Sequence, residues 1–363
     1  MNIVKILVNK RFLCNKNVNL VGNRTLFTKD SLGIAAYIAN RELEHEFTTK
    51  PEEFKKDFLR KVEKGLPLNL LIDNLKRFIH VIGNEPQDID LLWRALRMYK
   101  SKHDQMRRRS ELEAKKLYTF GPIIMRVLHH FNLTEYAIKF FDDGHVTQLF
   151  DQLVTYQILL DLLYDNRQYG DVLRIYHEIE KRILDQNRYV SNEINAIIFA
   201  TYFRLNTPMH NQLAYDMYKN LKDQGTHIKQ YRKSIGLVAA MQLRLENPDK
   251  SLEILSIYDD TDVNIRYVRI LSHVHLHQFD DAFRLLEMTI ASPKAILIPD
   301  QLLQKIEGKM RKLHDDRIDR AYKSIFDELK RKNLIFYKRL DDVLCARFPT
   351  AMAPYRPVPV VGL

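Results

Sequence analysis

The chain has little of what most catalytic and secreted folds need. There are two cysteines in 363 residues, Cys14 and Cys345, and Cys14 lies in a leader-like segment, so no disulfide framework is available. None is needed, because a chain this long removes roughly 75% of its unfolded surface from water on folding. Glycine is scarce at 11 residues, and neither GxxxxGK[ST] nor GxGxxG occurs, which argues against phosphate-cradling nucleotide folds. No apolar run reaches the ~18 residues of a membrane span; the longest, near Ile194 to Phe203, is about half that. Strand signals are absent, and no Ser, Cys or Lys sits in a recognisable nucleophile motif.

Acid is also missing from the start of the chain. Residues 1 to 29 carry Lys5, Lys10, Arg11, Lys16, Arg24 and Lys29 among Ile3, Ile6, Leu7, Phe12, Leu13 and Leu20, with no acid before Asp30. That composition predicts a mitochondrial presequence over residues 1–30, processed between Arg24 and Ser31, and an ordinary disordered tail is the alternative. A secretory signal fits worse, because Lys5 interrupts the only apolar stretch. Losing six bases and one acid with residues 1–30 takes the net charge from +11 to +6, so half of the basicity belongs to the leader.

What is present is helix. From Ser31 on, apolar residues recur at three and four. Pro51, Glu52 and Glu53 open a segment to Lys64 with bases at its far end, and Leu68 to Ile82 and Ile89 to Lys102 form a pair broken at Gly83-Asn84-Glu85-Pro86. In residues 154 to 182, Tyr156, Leu159, Leu160 and Leu163 form one stripe and Val172, Ile175, Tyr176 and Ile179 another, joined by Asp165-Asn166-Arg167. Neither stripe can be covered by one partner, so such hairpins are expected to stack. A small or β-branched residue early in the second helix recurs at Ala137, Val172, Ala214, Ser251 and Ala282, at intervals of 35, 42, 37 and 31, a degenerate repeat. The expected fold is all-α, an α-α superhelix of five or six hairpins, with a generic helical bundle as the alternative. The expected division is residues 31–117 as N-terminal helices with a basic connector, 118–291 as repeats, 292–348 as C-terminal capping helices, and 349–363 as a proline-rich tail.

Val154-Thr155-Tyr156 with Leu159-Leu160-Asp161, then Asp171-Val172-Leu173 and Glu178-Ile179, resembles the pentatricopeptide repeat family, whose units read VTYNxL[I/L]D and then EEALxLFxEM. The tetratricopeptide opening W-x-x-L-G-x-x-Y is missing. Residues 120 to 143, Arg204-Leu205-Asn206 and Leu340 to Cys345 extend the resemblance to mitochondrial members of the family. It implies a matrix protein without catalytic activity, cofactor or small-molecule substrate, which acts in mitochondrial mRNA maturation and so supports the respiratory chain. The family holds RNA bases between units, and the resemblance puts Val154 at the sandwiching position and Gln157 and Asn187 at the reading positions. In the preceding unit it puts Tyr118, Gly121 (or Pro122, one residue later) and Gln152 there. In the following unit the Thr-Tyr pair is lost, and Asn195 or Ala196 fills the reading position. The family's nuclease members carry an added metal-binding domain, and no comparable acidic array follows Ala291.

The most basic stretch, Arg97 to Lys116, holds Arg97, Lys100, Lys102, Arg107, Arg108, Arg109, Lys115 and Lys116 against Asp104, Glu111 and Glu113. It would attract an RNA backbone; a solvated linker is the competing reading, with a site for an acidic protein behind both. A weaker basic area spans Lys305 to Lys332. His273, His275 and His277, and His129-His130, lack a fourth ligand at helical spacing and are expected to be ordinary helix residues. Asp142-Asp143 and Asp259, Asp260 and Asp262 are expected to cap helices and turns. Trp93 is expected in the core. Two partner classes stay open: mitochondrial RNA, with RNA-processing or ribosomal proteins beside it, or a protein held by the concave surface, as in a mitoribosomal component or a respiratory-complex assembly factor.

Overall fold

The computed structural model describes residues 26–108, 118–186, 189–223, 232–293 and 295–346. Local signals set the first helices. After α1 (Ile34–Phe47), α2 (Pro51–Lys64) starts on Pro51 with Glu52 and Glu53 in its first turn, carries Lys61 and Lys64 in its last, and stops at Gly65, whose φ of 82° is a left-handed value that glycine adopts without steric cost. α3 (Leu68–Val81) and α4 (Pro86–Arg108) form the expected pair, and α1 packs on α3.

Six hairpins follow: α5 (Gly121–His130) with α6 (Thr134–Asp142), then, after the single turn α7 (Thr147–Phe150), α8 (Leu153–Asp165) with α9 (Tyr169–Asp185) and α10 (Asn192–Leu205) with α11 (Pro208–Asp223). The last three are α12 (Arg232–Arg244) with α13 (Pro248–Leu255), α14 (Val263–His275) with α15 (Phe279–Ile290), and α16 (Asp300–Met310) with α17 (Asp316–Arg331). The same device ends the first helix of every pair. Asn132, Arg167, Asn206, Glu246, His277 and His314 all have φ between 50° and 60°, turning the chain back on itself. In four of them the next N–H reaches five residues back, Leu133 to Leu128, Gln168 to Leu163, Asn247 to Gln242 and Gln278 to His273, at 2.8 to 3.0 Å. Recurrence of one turn at nearly one interval is the repeat written in backbone geometry.

Pairs stack in chain order. The first helices pack on one another in the row α5, α8, α10, α12, α14, α16, and α6, α9, α11 and α13 each also pack on the first helix of the next pair. Among the second helices only α15 and α17 pack together to a like extent, so the row curves with the first helices inside. Ala137, Val172, Ala214, Ser251 and Ala282 have no exposed surface, as close approach within each hairpin requires. One continuous apolar cluster runs from Leu26 to Cys345. This is an α-α solenoid rather than a bundle around one centre.

Two features depart from expectation. Ile298–Pro299 and Ile335–Phe336 pair as parallel strands, too short for any alternation to register in sequence. The chain then turns back along the stack: Lys338 and Leu340 N–H donate to Asp300 and Gln301 of α16, and α18 (Leu340–Leu344) lies on α12. At the other end, Leu26, Phe27 and Leu32 are buried, and Arg126 of α5 donates to the Leu32 carbonyl. Among the described residues no helix is long and apolar enough to cross a membrane.

The left-handed turn residues carry a testable cost. Glu246, exposed at φ 58°, should be strained by about 1 kcal/mol relative to glycine. Glu246→Gly is expected to raise the denaturation midpoint, while Asn206→Gly, where asparagine already tolerates the conformation, should change it little; urea titration of both variants checks the difference.

Candidate nucleic-acid interface

The inner face begins at the N-terminal ends of the first helices. On α8, Val154 is 45% exposed and Gln157, one turn on, is half-buried, while Thr155 and Tyr156 between them are buried. The buried pair holds the helix start: the Thr155 hydroxyl donates to Gln152 Oε1 at 2.9 Å and the Tyr156 hydroxyl to Asp151 Oδ1 at 2.5 Å. Gln152 is therefore engaged with its own helix. Asn187 lies outside the described residues. In the preceding unit Tyr118 is 39% exposed with the Lys76 ammonium 4.6 Å above its ring, at a cleft of about 260 Å³ lined also by Glu44, Arg77 and His80. Gly121 reads nothing there. A Cβ on it would strike the Leu149 carbonyl, Gln152 Oε1 and Thr155 Oγ1, so packing alone demands glycine. In the following unit Asn195 and Ala196 are both buried, which removes either as a reader.

Arg107 and Arg108 end α4 and are exposed, whereas Arg109, Lys115 and Lys116 lie outside the described residues. Not all of the basic stretch is free to meet a ligand. Lys100 pairs with Asp104, and Arg97 pairs with Asp143 at 3.3 Å. Trp93 is half-buried rather than in the core: its indole N–H donates to Asp143 at 2.8 Å, and Arg97 and Lys139 lie 4.6 and 4.4 Å from its ring. An indole needs an acceptor for its N–H, and the C-cap of α6 supplies one at the surface. In the weaker basic area Arg311 pairs with Glu307, and Arg331 and Lys332 with Glu328. Asp262 caps α14 and Asp259 accepts from Thr261, as capping and turn roles predict, whereas Asp142 and Asp260 pair with Arg174 and Arg269.

Deeper on the same face are groups to which the sequence reading gave no ligand-binding role. Arg204 and Arg244 stand in the last turn of α10 and α12, each twelve residues after its helix begins. Arg204 Nη1 meets Asp342 Oδ1 at 3.0 Å and its Nε the Tyr164 hydroxyl at 3.4 Å; Arg244 Nη2 meets Asp341 Oδ1 at 3.0 Å and its guanidinium lies 3.7 Å from the Phe203 ring. Lys233 of α12 donates to the Ala346 carbonyl, and burial pulls its ammonium down to about 8. Nearby on α5 and α8, His129 Nε2 is 3.0 Å from Asp161 Oδ2, and Asp165 completes a cluster whose donor atoms lie within 4.8 Å. Burial pushes the Asp161 carboxyl above the usual carboxylate range, opposed by His129 and by Phe27 backbone. His273 instead bonds Gln278 at 2.8 Å.

A protein of Xenopus laevis named "Pentatricopeptide repeat-containing protein 2, mitochondrial" is 21% identical over 304 residues, which cover 81% of this chain and 75% of that one. Proteins of the same name from Mus musculus and Danio rerio are 20% identical, over 80% and 89% of this chain and 74% and 81% of theirs. The chain is a distant relative of these pentatricopeptide repeat proteins. No protein-family model matches it.

Within this solenoid, Val154 and Gln157 are brought together on one accessible turn, and the exposed bases of α4 lie on another helix of the fold. The inner-face arginines were legible in part, since Arg204-Leu205 and Arg244-Leu245 repeat at one offset from their helix starts. Their acidic partners, some 100 residues later, were not. If Gly121 is a packing residue, Gly121→Ala should cost about 1–3 kcal/mol of stability, read as a lower denaturation midpoint, with any RNA affinity of the folded fraction unchanged.

Proposed function

We propose that the protein is a mitochondrial RNA-binding helical-repeat protein that acts, without chemistry of its own, in maturation or processing of mitochondrial mRNA and thereby sustains the respiratory chain. The observation that carries this reading is the accessible Val154–Gln157 turn on the inner face of a solenoid, joined by exposed bases at the end of α4. Val154 would cover one face of a base, Gln157 and Asn187 would read its edge, and Arg107, Arg108, Arg109, Lys115 and Lys116 would meet phosphates; Gln152 would contribute only by exchanging its bond to Thr155. The names of the relatives and the acid-free leader both favour the mitochondrion, and the leader's charge favours the matrix. Leu26 and Phe27 belong to the core cluster, which supports a cut at the Arg24 end of the Arg24 to Ser31 interval and a leader shorter than residues 1–30.

A second reading, a scaffold for a ribosomal or respiratory-assembly protein, is favoured by one specific feature: the inner face already seats a protein helix, α18. Salt separates the two. RNA affinity should fall by decades as salt rises, and Arg107→Glu/Arg108→Glu should weaken binding evenly across RNA sequences while making the logarithmic salt dependence shallower by about 1.4. Val154→Ala/Gln157→Ala should instead flatten sequence preference with little change in overall affinity. Filter binding over a salt series with several RNA sequences checks both, and recovery of no RNA above background after crosslinking in mitochondria would replace this reading with the scaffold.

A further inference from the structure

The segment after β2 does more than close the end of the stack. α18 lies on the inner face with its apolar residues Leu340, Leu344 and Cys345 turned into the fold and its two adjacent acids on Arg244 and Arg204. Those arginines occupy the same position in consecutive units, so they sit about one helix–helix spacing, roughly 10 Å, apart along the groove. Two cations at a regular interval along a concave face are a phosphate-binding arrangement, and here each is held by a carboxylate. The carboxylates are only lightly secured: Asp342 and Asp341 side chains are 45% and 38% exposed, in a helix of five residues. The Arg204 and Arg244 side chains are 18% and 21% exposed, but their carboxylate partners open to solvent, where screening by salt weakens the pairs and a polyanion can compete for the guanidinium groups.

We propose that α18 is an internal anion mimic whose Asp341 and Asp342 occupy the Arg244 and Arg204 positions that hold phosphates of an RNA strand, so that strand and C-terminal segment compete for the inner face. This rests on the RNA-binding reading above, and two independent readouts separate the two. Cys345 lies directly after α18, 1% exposed, in side-chain contact with Tyr164, its thiol pushed up to about 11 by burial; lifting of α18 therefore exposes a protected thiol and restores its ordinary reactivity.

The experiment uses the full chain with Cys14→Ser, leaving Cys345 as its one thiol. Labelling by an aromatic disulfide and binding of oligouridylate are measured at low salt, with thermal melting as a control for folding. Asp341→Asn/Asp342→Asn is expected to bind oligouridylate roughly fivefold to thirtyfold more tightly and to label faster in the absence of RNA. Saturating oligouridylate should speed labelling of the chain that keeps both acids. Arg204→Gln should also speed labelling and yet bind RNA more weakly, the opposite sign from the acid variants; a loss of folding would weaken both. RNA binding that leaves Cys345 protected, or acid variants with unchanged affinity, overturns the mimic and leaves RNA binding standing. No binding by any variant, with α18 lifted as judged by labelling, overturns both.

Discussion

A helix that is apolar on every side has to be enclosed on every side, and that demand organises this chain. α8 is buried from Thr155 to Tyr164 except at the half-buried Gln157, and α10 from Ile194 to Phe203 and α12 from Lys233 to Leu243 are buried throughout, so none of them shows a broad solvent-facing stripe. Each first helix takes cover from the first helices before and after it, from its own partner and from the partner of the preceding unit. One side then remains, facing the inside of the curve. In mid-stack the chain covers it with its own ends: Phe27 backbone at Asp161, and α18 with Cys345 at Tyr164, Arg204 and Lys233. The groove of this solenoid is thus partly filled, and a ligand there either uses the exposed helix starts or displaces the fill.

Polar groups inside such a stack are stable only when paired, and the pairs here run mostly between helices. Ser272 of α14 donates to Ser251 of α13 at 2.9 Å, Arg266 of α14 to Thr289 of α15 at 3.0 Å, and Asp161 of α8 meets His129 of α5. A slip of one unit against the next would strand these groups in a low-dielectric interior at several kcal/mol. Hydrophobic area holds the hairpins together without direction; the paired polar groups select the register in which they stack.

Much of this was legible. The stripes of residues 154 to 182 became α8 and α9, Pro51 to Lys64 became α2 at those bounds, and the five small or β-branched positions are all buried. These are local signals, set by periodicity, capping and close approach within one hairpin. What escaped was long-range. The two-residue strands have no periodicity to read, the half-buried place of Trp93 depends on an Asp143 fifty residues away, and the docking of α18 joins residues 138 apart. Asn195 shows the same limit: its sequence position suited a reader, but α10 is enclosed on all sides and has no polar face to present.

Erosion of the reading positions follows from the same enclosure. In the α5 unit the turn at Leu149 to Gln152 comes so close that residue 121 has no room for a side chain, and in the α10 unit the helix start is packed shut. Both losses put burial where a base reader would stand, whereas α8 keeps Val154 exposed and Gln157 half-buried at its start. On the proposed RNA-binding reading, one reading unit would discriminate little among RNAs by base edges, while cations at the end of α4 and beneath α18 would act on any phosphate backbone. On that reading, selectivity for a transcript would come from how much of the inner face a strand can occupy. An acidic helix bound by two arginines makes that occupancy conditional, because only a ligand that repays the displacement of α18 gains the middle of the groove.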